Sequence, residues 1–471
     1  MFESEESNLA SLLVKLQTQQ TEGSSIYFDV EEYELLVDHF MNQAEDAKAE
    51  WLNDLAIDQH PNNASFFIRK AQLFGLKGCF EEAYLALELA ESLDGFNEEV
   101  YLTRANLLSR QHEHKESLEV LYDFYPRAED KAEVALLVAY EYQALAEYEK
   151  ALKWLKHALK LEPKDEIALY NCAFCFEMCA LYHEAIDFFS SYLDSNPYSE
   201  IAWHQLGIFL EKMGNAKRAL WAIDYAILID EHFSAAYHEK ARVLNGMKRH
   251  LQAAEALKET LKFEDPSGFV HLKIAECYKD AGIYKDALIH AIKATHYDPQ
   301  LDEAWIERAM ILESIGRPHE AIVHLKKALD LDPENPDYWY LSAQFFKRNA
   351  YLDEAEKAFQ QLIELGCVEM EIWVEYTDLL LDLHESEQAI EALYSGIDHN
   401  PDSAELHYLA AGLLFSMDEE LHGLDCLESA LKLNYEKHSS LLDNFPDLKS
   451  KARVMHLISS YKTQSQNSNL S

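Results

Sequence analysis

Residues 302 to 335 read DEAWIERAMILESIGRPHEAIVHLKKALDLDPEN and contain the pattern that decides the fold of this chain. Trp305, Ala309 and Leu312 are four and three residues apart, which places them on one face of a helix. Gly316 is a natural end for that helix, because glycine readily adopts the left-handed conformation found at helix C-termini. A second helical pattern follows and ends before Pro333, since proline is not tolerated inside a helix. The stretch therefore predicts two antiparallel helices joined by a short turn.

The same pattern recurs along the chain with a period of 34 residues. Prolines that follow an acidic residue or Asn are separated by multiples of that period, as Pro163, Pro197, Pro299, Pro333 and Pro401 show. The period defines about twelve repeats, which start at residues 30, 64, 98, 132, 166, 200, 234, 268, 302, 336, 370 and 404. Positions are counted below from these starts. A fixed period of this length is the signature of a stacked repeat architecture.

Position 20 of every repeat holds a residue no larger than Ser. Its members are Ala49, Ala83, Ser117, Ala151, Ala185, Ala219, Ala253, Ala287, Ala321, Ala355, Ala389 and Gly423. Position 8 is also small in most repeats, whereas positions 4 and 11 carry mostly large residues, which are aromatic in many repeats. Small residues at a fixed phase indicate that two helix backbones approach closely there in each repeat.

These columns resemble the tetratricopeptide repeat, whose pattern is W-x2-L-G-x2-Y…A…F…A…P over 34 residues. The resemblance covers about residues 30 to 437 in unbroken register. It implies an all-α fold, a right-handed α-solenoid (superhelix) of antiparallel helical hairpins. Around the array we expect an acidic N-terminal helical extension in residues 1–29, with a helix over 7–20 and a loop over 22–25. In residues 438–471 we expect a capping helix containing Leu448, Ala452, Met455 and Tyr461, followed by a disordered tail from Gln464.

Composition narrows the classes of function. The chain has 471 residues and a formal net charge of −43, with 48% hydrophobic residues. Such a charge argues against a nucleic-acid-binding surface and disfavours anionic membranes. No apolar run reaches the ~18 residues of a membrane span, and the acidic N-terminus is unlike a secretory signal. The seven cysteines follow no disulfide-framework spacing, so we expect a cytoplasmic protein with no membrane insertion.

No pattern of a catalytic site stands out, and we expect a protein that is not an enzyme and needs no cofactor. Phosphate loops and nucleophile elbows are missing from the sequence. Cys172, Cys175 and Cys179 are interpreted as small core residues, with a metal site as the alternative. His319 and His324 are five residues apart, which is the wrong spacing for a zinc site on one helix face.

The resemblance implies that the first helices line a concave groove with positions 2, 5, 9, 12 and 13. Many of these positions are aromatic or aliphatic in repeats 4 to 8, which is the composition of a contact surface, and we expect a peptide or helix to dock along repeats 4 to 9. The alternative is that they pack against neighbouring repeats. The predicted groove residues are Tyr140, Tyr170, Phe174, Met178, His204, Ile208, His238, Arg242, Leu272, Ile306, Met310 and Tyr340.

The sequence thus predicts a non-catalytic scaffold or adaptor that binds a partner peptide or helix in this groove. Arg242, Lys273, Lys279 and Lys347 would receive the partner's carboxylates. The alternative is a self-associating structural protein, in which the array ends or the groove bind another copy. Residues 1 to 63 hold 14 Asp and Glu against 2 Lys and Arg. This acidity either keeps a long solenoid in solution or attracts a basic partner.

Overall fold

The structure is a computed structural model that describes residues 9–18 and 27–468. These residues form helices and turns, and no strand occurs in them. The chain divides into two compact units, Met1–Val243 and Leu244–Ser471, and the division falls inside α14 (Ser234–Gly246).

The first unit opens with α1, over residues 9–18. Its further helices are α2 Val30–Asn42, α3 Asp46–Gln59, α4 Ala64–Leu76, α5 Phe80–Leu93, α6 Glu98–Arg110, α7 His114–Phe124, α8 Lys131–Ala144, α9 Tyr148–Leu161, α10 Glu166–Met178, α11 Tyr182–Ser195, α12 Glu200–Lys212 and α13 Ala216–Ile229. From α2 onward, each even-numbered helix packs against the helix that follows it.

The second unit continues the alternation of helices. They are α15 His250–Thr260, α16 Gly268–Asp280, α17 Tyr284–Tyr297, α18 Asp302–Ser314, α19 Pro318–Leu331, α20 Pro336–Arg348, α21 Leu352–Glu364, α22 Met370–Asp382, α23 Ser386–His399, α24 Ala404–Ser416, α25 Glu420–Leu433, α26 His438–Asn444 and α27 Ala452–Ser468. The first helices of the hairpins begin within one residue of a 34-residue spacing in both units. The predicted all-α fold of periodic helical hairpins is confirmed.

Positions 8 and 20 are where the two helices of a hairpin meet. In repeat 3 the Oγ of Ser117 donates a hydrogen bond of 3.0 Å to the backbone oxygen of Ala105. In repeat 6 a Cβ added to Gly207 would lie 3.3 Å from the backbone oxygen of Ala219 and 2.6 Å from Cγ1 of Ile223. The small residues of these two columns therefore permit the close approach that the sequence indicates.

Position 15 forms the turn between the two helices and has a positive φ in every repeat. Gly78, Gly214, Gly282 and Gly316 have φ values of 75° or 76°. Glycine fits this left-handed conformation without steric cost. The other eight repeats place a residue with a Cβ there: Ala44, His112, Ala146, Ala180, Lys248, Ala350, His384 and Asp418. The turn geometry is thus a property of the repeat, and glycine is only one residue that supports it.

Three tryptophans at position 4 connect their first helices to the turns that precede them. Their indole Nε1 groups donate hydrogen bonds of 2.8 to 3.0 Å to the backbone oxygen of the proline six residues earlier. The pairs are Trp203 with Pro197, Trp305 with Pro299, and Trp339 with Pro333. These bonds satisfy the N–H groups of indoles that are half-buried.

The segments outside the repeats are helical as well. Leu12 and Leu16 of α1 are buried in the core of the first unit, near Tyr33. In α27 the buried side chains are Val454 and Ile458, whereas Ala452 and Met455 are exposed. This helix runs to Ser468, so it includes the first part of the tail for which the sequence predicts disorder. The predicted loop over 22–25 and the last three residues lie outside the described part of the chain.

Candidate functional site

One face of α10 exposes four large apolar side chains. Ile167, Tyr170, Phe174 and Met178 have exposed fractions of 58%, 42%, 48% and 50%. They are three, four and four residues apart, so they form one stripe along the helix. We call these four residues the α10 face. The opposite side of α10 is also apolar and is buried in the core, so the hairpin does not need the α10 face for its own packing.

The neighbouring first helices extend this surface with half-buried side chains. Tyr140 lies on α8 and Ile208 on α12, and both are partly exposed. The ring of Phe174 makes an edge contact with Tyr148, at 5.8 Å between centroids. Lys212 forms an ion pair with Glu177, which neutralises the cation beside the α10 face. The surface is thus apolar in the middle and polar at its rim, as protein interfaces commonly are.

Tyr140 also lines a cavity of about 510 Å³ on the first helices of repeats 1 to 4. Its apolar lining includes Leu76, Leu102 and Leu137, and Glu133 contributes a carboxylate. Burial, together with the charges of Asp130 and Glu98, raises the pKa of Glu133. The sequence did not predict this cavity, although Leu76 and Leu102 occupy positions 13 and 5, which are positions of the predicted groove.

Three predicted groove residues have buried side chains. His204 packs its ring against Phe233, at 5.2 Å between centroids, and burial lowers its pKa. Leu272 is buried beside Ala294, and Ile306 lies in the core of the second unit. Position 5 side chains here fill space between helices, which is the alternative that the sequence left open. These three residues do not belong to an exposed surface.

The remaining predicted groove residues are partly exposed or already paired. His238 is half-buried in the first unit, and Met310 and Tyr340 are half-buried in the second. The hydroxyl of Tyr340 donates a hydrogen bond of 3.0 Å to Glu375. In the second unit the structure brings none of the predicted residues into an exposed stripe like the α10 face.

Four cations were predicted to bind carboxylates of a partner protein. Each of them already contacts a carboxylate or a backbone carbonyl of this chain. Arg242 bonds to Glu239 at 2.6 Å and to Glu211 at 2.8 Å, and these hydrogen bonds raise its pKa. The other three contacts are Lys273 with Glu276 at 3.0 Å, Lys279 with Glu307 at 2.7 Å, and Lys347 with the backbone oxygen of Glu375 at 3.3 Å. A partner's carboxylate would have to compete with these existing contacts.

Two of the three cysteines of repeat 5 belong to the core, whereas Cys179, at the end of α10, is partly exposed. Cys172 and Cys175 are buried, and burial raises the pKa of both thiols, which keeps them protonated at neutral pH. Gln143 contacts the sulfur of Cys175 at 3.1 Å. Within residues 9–18 and 27–468, no group of three His, Cys, Asp or Glu side chains is placed to hold a metal ion. No helix in that part of the chain has both the length and the apolar character to cross a membrane.

Two family models for the tetratricopeptide repeat match the chain. One covers residues 302–345, and the other covers residues 132–165 and 336–365. The chain is a tetratricopeptide repeat protein. The matched segments begin within one residue of the starts of α8, α18 and α20, which are first helices of hairpins.

One named relative of this tetratricopeptide repeat protein is the anaphase-promoting complex subunit 3 of Schizosaccharomyces pombe. It is 24% identical over 216 residues, which are 46% of this chain and 32% of that protein. The chain therefore matches about a third of the relative's length.

Solved structures with a related fold include two arrays of different size. A tetratricopeptide repeat protein from Parabacteroides merdae is 15% identical, covers 53% of this chain and 98% of its own, and superposes with a TM-score of 0.39. The anaphase-promoting complex hetero-tetramer Cut9–Hcn1 is 16% identical, covers 88% and 96%, and has a TM-score of 0.32. Both TM-scores are low, so the fold assignment depends on the helices and the family models.

Proposed function

We propose that this tetratricopeptide repeat protein is a non-catalytic, cytoplasmic scaffold that binds a partner protein through the α10 face. The partner segment is a peptide or helix with large apolar side chains that cover Tyr170, Phe174 and Met178. In this proposal the array of residues 30–437 is the binding part, and the flanking segments are a helical extension and a cap.

The exposure of the α10 face carries the proposal. Fully burying an exposed large apolar side chain contributes about 1.5–3 kcal/mol, and these four side chains are about half exposed, so a partner that covers them gains roughly half of that amount from each. Aromatic residues are the usual hot spots of interfaces, and two of the four are aromatic. Tyr140 and Ile208 would add contacts on either side.

The named relative supports a protein-binding role in general terms. Its name makes it a subunit of a complex, and the likeness covers 46% of this chain. Repeat arrays of this kind use extended surfaces to bind other proteins. The partner's identity is not implied by this relative, because two thirds of its length has no counterpart here.

The proposal is tested by affinity capture from native cytosol with the purified protein and with a Tyr170→Ala/Phe174→Ala variant. We expect the variant to lose the captured partner, because truncation of two hot-spot residues weakens binding by about tenfold or more. Circular dichroism should show unchanged helicity, since both side chains are exposed.

A matched control is Tyr198→Ala/Leu228→Ala, which truncates two side chains that are 83% and 78% exposed elsewhere in the first unit. It should capture the partner as the wild type does. Capture that survives in the α10 variant but is lost in a high-salt wash would place the interface on the acidic surface and contradict the proposal.

A further inference from the structure

A second exposed apolar stripe lies on α5, the second helix of repeat 2. Leu85, Leu89 and Leu93 have exposed fractions of 60%, 52% and 41%, and Phe96, just beyond the helix, is 89% exposed. The three leucines are four residues apart and follow one side of the helix. We call these four residues the α5 stripe. The buried side of α5 is formed by Ala83, Ala86, Leu87 and Ala90.

Other repeats show that packing does not require apolar residues at these positions. Leu85 and Leu89 occupy positions 22 and 26 of repeat 2. The same two positions hold Glu119 and Asp123 in repeat 3, and Asp187 and Ser191 in repeat 5. All four of these polar side chains are exposed, so the two positions face solvent in repeats 3 and 5 as they do in repeat 2. A continuous apolar stripe on a solvent-facing helix side indicates an interaction surface.

The surroundings of the α5 stripe are acidic. Between Lys77 and Arg104 the chain contains seven acidic residues and no Lys or Arg. Glu81, Glu82, Glu88 and Asp94 among them are exposed. The two bounding cations already have partners, since Lys77 pairs with Glu50, and Arg104 pairs with Glu91 at 2.6 Å. The stripe is therefore an apolar strip between unneutralised carboxylates.

We propose that the α5 stripe is a second docking surface, separate from the α10 face, and that it binds a basic amphipathic helix of a partner protein. The apolar side of that helix covers Leu85, Leu89 and Leu93, and its Lys and Arg side chains lie beside Glu81, Glu82 and Glu88. Opposite charges flanking an apolar contact set the orientation of the bound helix and speed its association.

A second copy of this chain is a poorer occupant of the same surface. Pairing two α5 stripes would bring two sets of carboxylates together, and the whole chain carries a net charge of −43. Like charges placed across an interface oppose association. A basic helix removes this repulsion and replaces it with attraction.

The test uses a labelled, end-capped peptide of about 18 residues built from Leu and Lys, with leucines at helical spacing, and measures its binding by fluorescence anisotropy. We expect Leu85→Gln/Leu89→Gln to weaken binding at least about tenfold. The matched control is Asp187→Gln/Ser191→Gln, at the same two positions of repeat 5, and it should bind like the wild type. Tyr170→Ala/Phe174→Ala should also bind normally, which separates this proposal from the α10 face.

Three results would overturn the proposal: unchanged binding by the α5 variant, equally tight binding of a peptide with Ser in place of Leu, or a concentration-dependent mass of the wild type that the α5 variant loses. The last result would assign the surface to a second copy. Should the α5 variant lose helicity, a photoreactive version of the peptide is cross-linked to the wild type. Cross-links within Phe80–Leu93 then support the proposal, and cross-links only elsewhere contradict it.

Discussion

The tryptophan at position 4 illustrates how a single residue connects sequence pattern and local structure. In three repeats its N–H bonds to the carbonyl of the preceding proline turn, and the rings of Trp203 and Trp305 also pack against rings of the second helix. Repeat 11 breaks this rule, because Cys367 stands where the other turns have proline. Among the described residues, the buried Nε1 of Trp373 has no hydrogen-bond partner.

This difference gives a matched pair of substitutions. Trp305→Phe removes a hydrogen bond of 3.0 Å and should lower the free energy of unfolding by about 1 kcal/mol more than Trp373→Phe, which removes an unpaired donor. Urea denaturation followed by circular dichroism measures both variants. Equal losses in the two would mean that the ring's packing alone matters at position 4.

A half-buried histidine in the second unit, His290, makes stability depend on pH. Burial, together with the charges of His271, Lys293 and Lys258, lowers the pKa of His290 to about 4, against the opposite effect of Asp286. Because the folded-state pKa is below the ordinary value of 6.5, the neutral ring contributes stability above pH 6.5 that is lost as the pH falls towards 4.

We therefore expect the free energy of unfolding to fall less steeply for His290→Gln than for the wild type between about pH 7.5 and about pH 5.5. Comparing the two proteins cancels the contribution of the many carboxylates. Parallel pH profiles, measured by urea denaturation, would show that His290 titrates normally in the folded chain.

At the scale of helices and turns, the turn after each first helix contains a left-handed residue, and in most repeats this residue is not glycine. Such a residue is strained, and its type does not indicate the strain. Ala146, between α8 and α9, has a φ of 56°. The left-handed conformation costs an L-residue with a Cβ roughly 1–2 kcal/mol, whereas glycine adopts it freely. The repeat tolerates this cost in eight of its twelve turns because the packing of the two helices fixes the turn.

Ala146→Gly should accordingly raise the free energy of unfolding by about 0.5–1 kcal/mol, since relief of strain exceeds the added flexibility of the unfolded chain. Ala151→Gly, five residues later inside α9, is the control and should destabilise by about 1 kcal/mol. Thermal denaturation of the two variants measures the difference. A loss of stability in both would show that the turn at Ala146 carries little strain.

The elements were predictable from sequence because their signals repeat. Small residues at position 20 and prolines after the second helices recur in most repeats, and a recurring signal identifies helix ends that a single copy leaves ambiguous. Positive φ at Ala146 or Ala180 was not predictable, because alanine itself favours the right-handed helix. The positive φ at position 15 can be inferred for these alanines only by comparison with a repeat that has glycine at the same position.

The candidate site was only partly predictable from sequence. Position 9 of repeat 5 predicts that Phe174 faces outward, and its side chain is indeed exposed. The same reasoning fails for Leu272 and Ile306, because position 5 lies at the edge between groove and core, and the neighbouring side chains decide which way it faces. The α5 stripe was not predicted. It lies on a second helix, whereas the predicted groove is lined by first helices.

At the scale of the whole molecule, composition and repeat architecture act together. A repeat array gains its stability from contacts between neighbouring hairpins, so surface positions are free to vary from one repeat to the next. The chain carries a net charge of −43, so acidic side chains outnumber basic ones by about two to one. Against this background the α10 face and the α5 stripe are two apolar areas on different helices, which would let one chain hold two partners.

Carbene footprinting of the tagged protein, purified alone and in native cytosol, tests most directly whether a partner covers the α10 face. We expect labelling of Tyr170, Phe174 and Met178 to fall in cytosol, because a partner covers the α10 face. Labelling of Val323 and Leu421, which are 64% and 72% exposed in the second unit, should stay the same. Unchanged labelling of the α10 face, with protection elsewhere, would show that the partner binds at another surface. That result would contradict the proposal that the α10 face binds the partner.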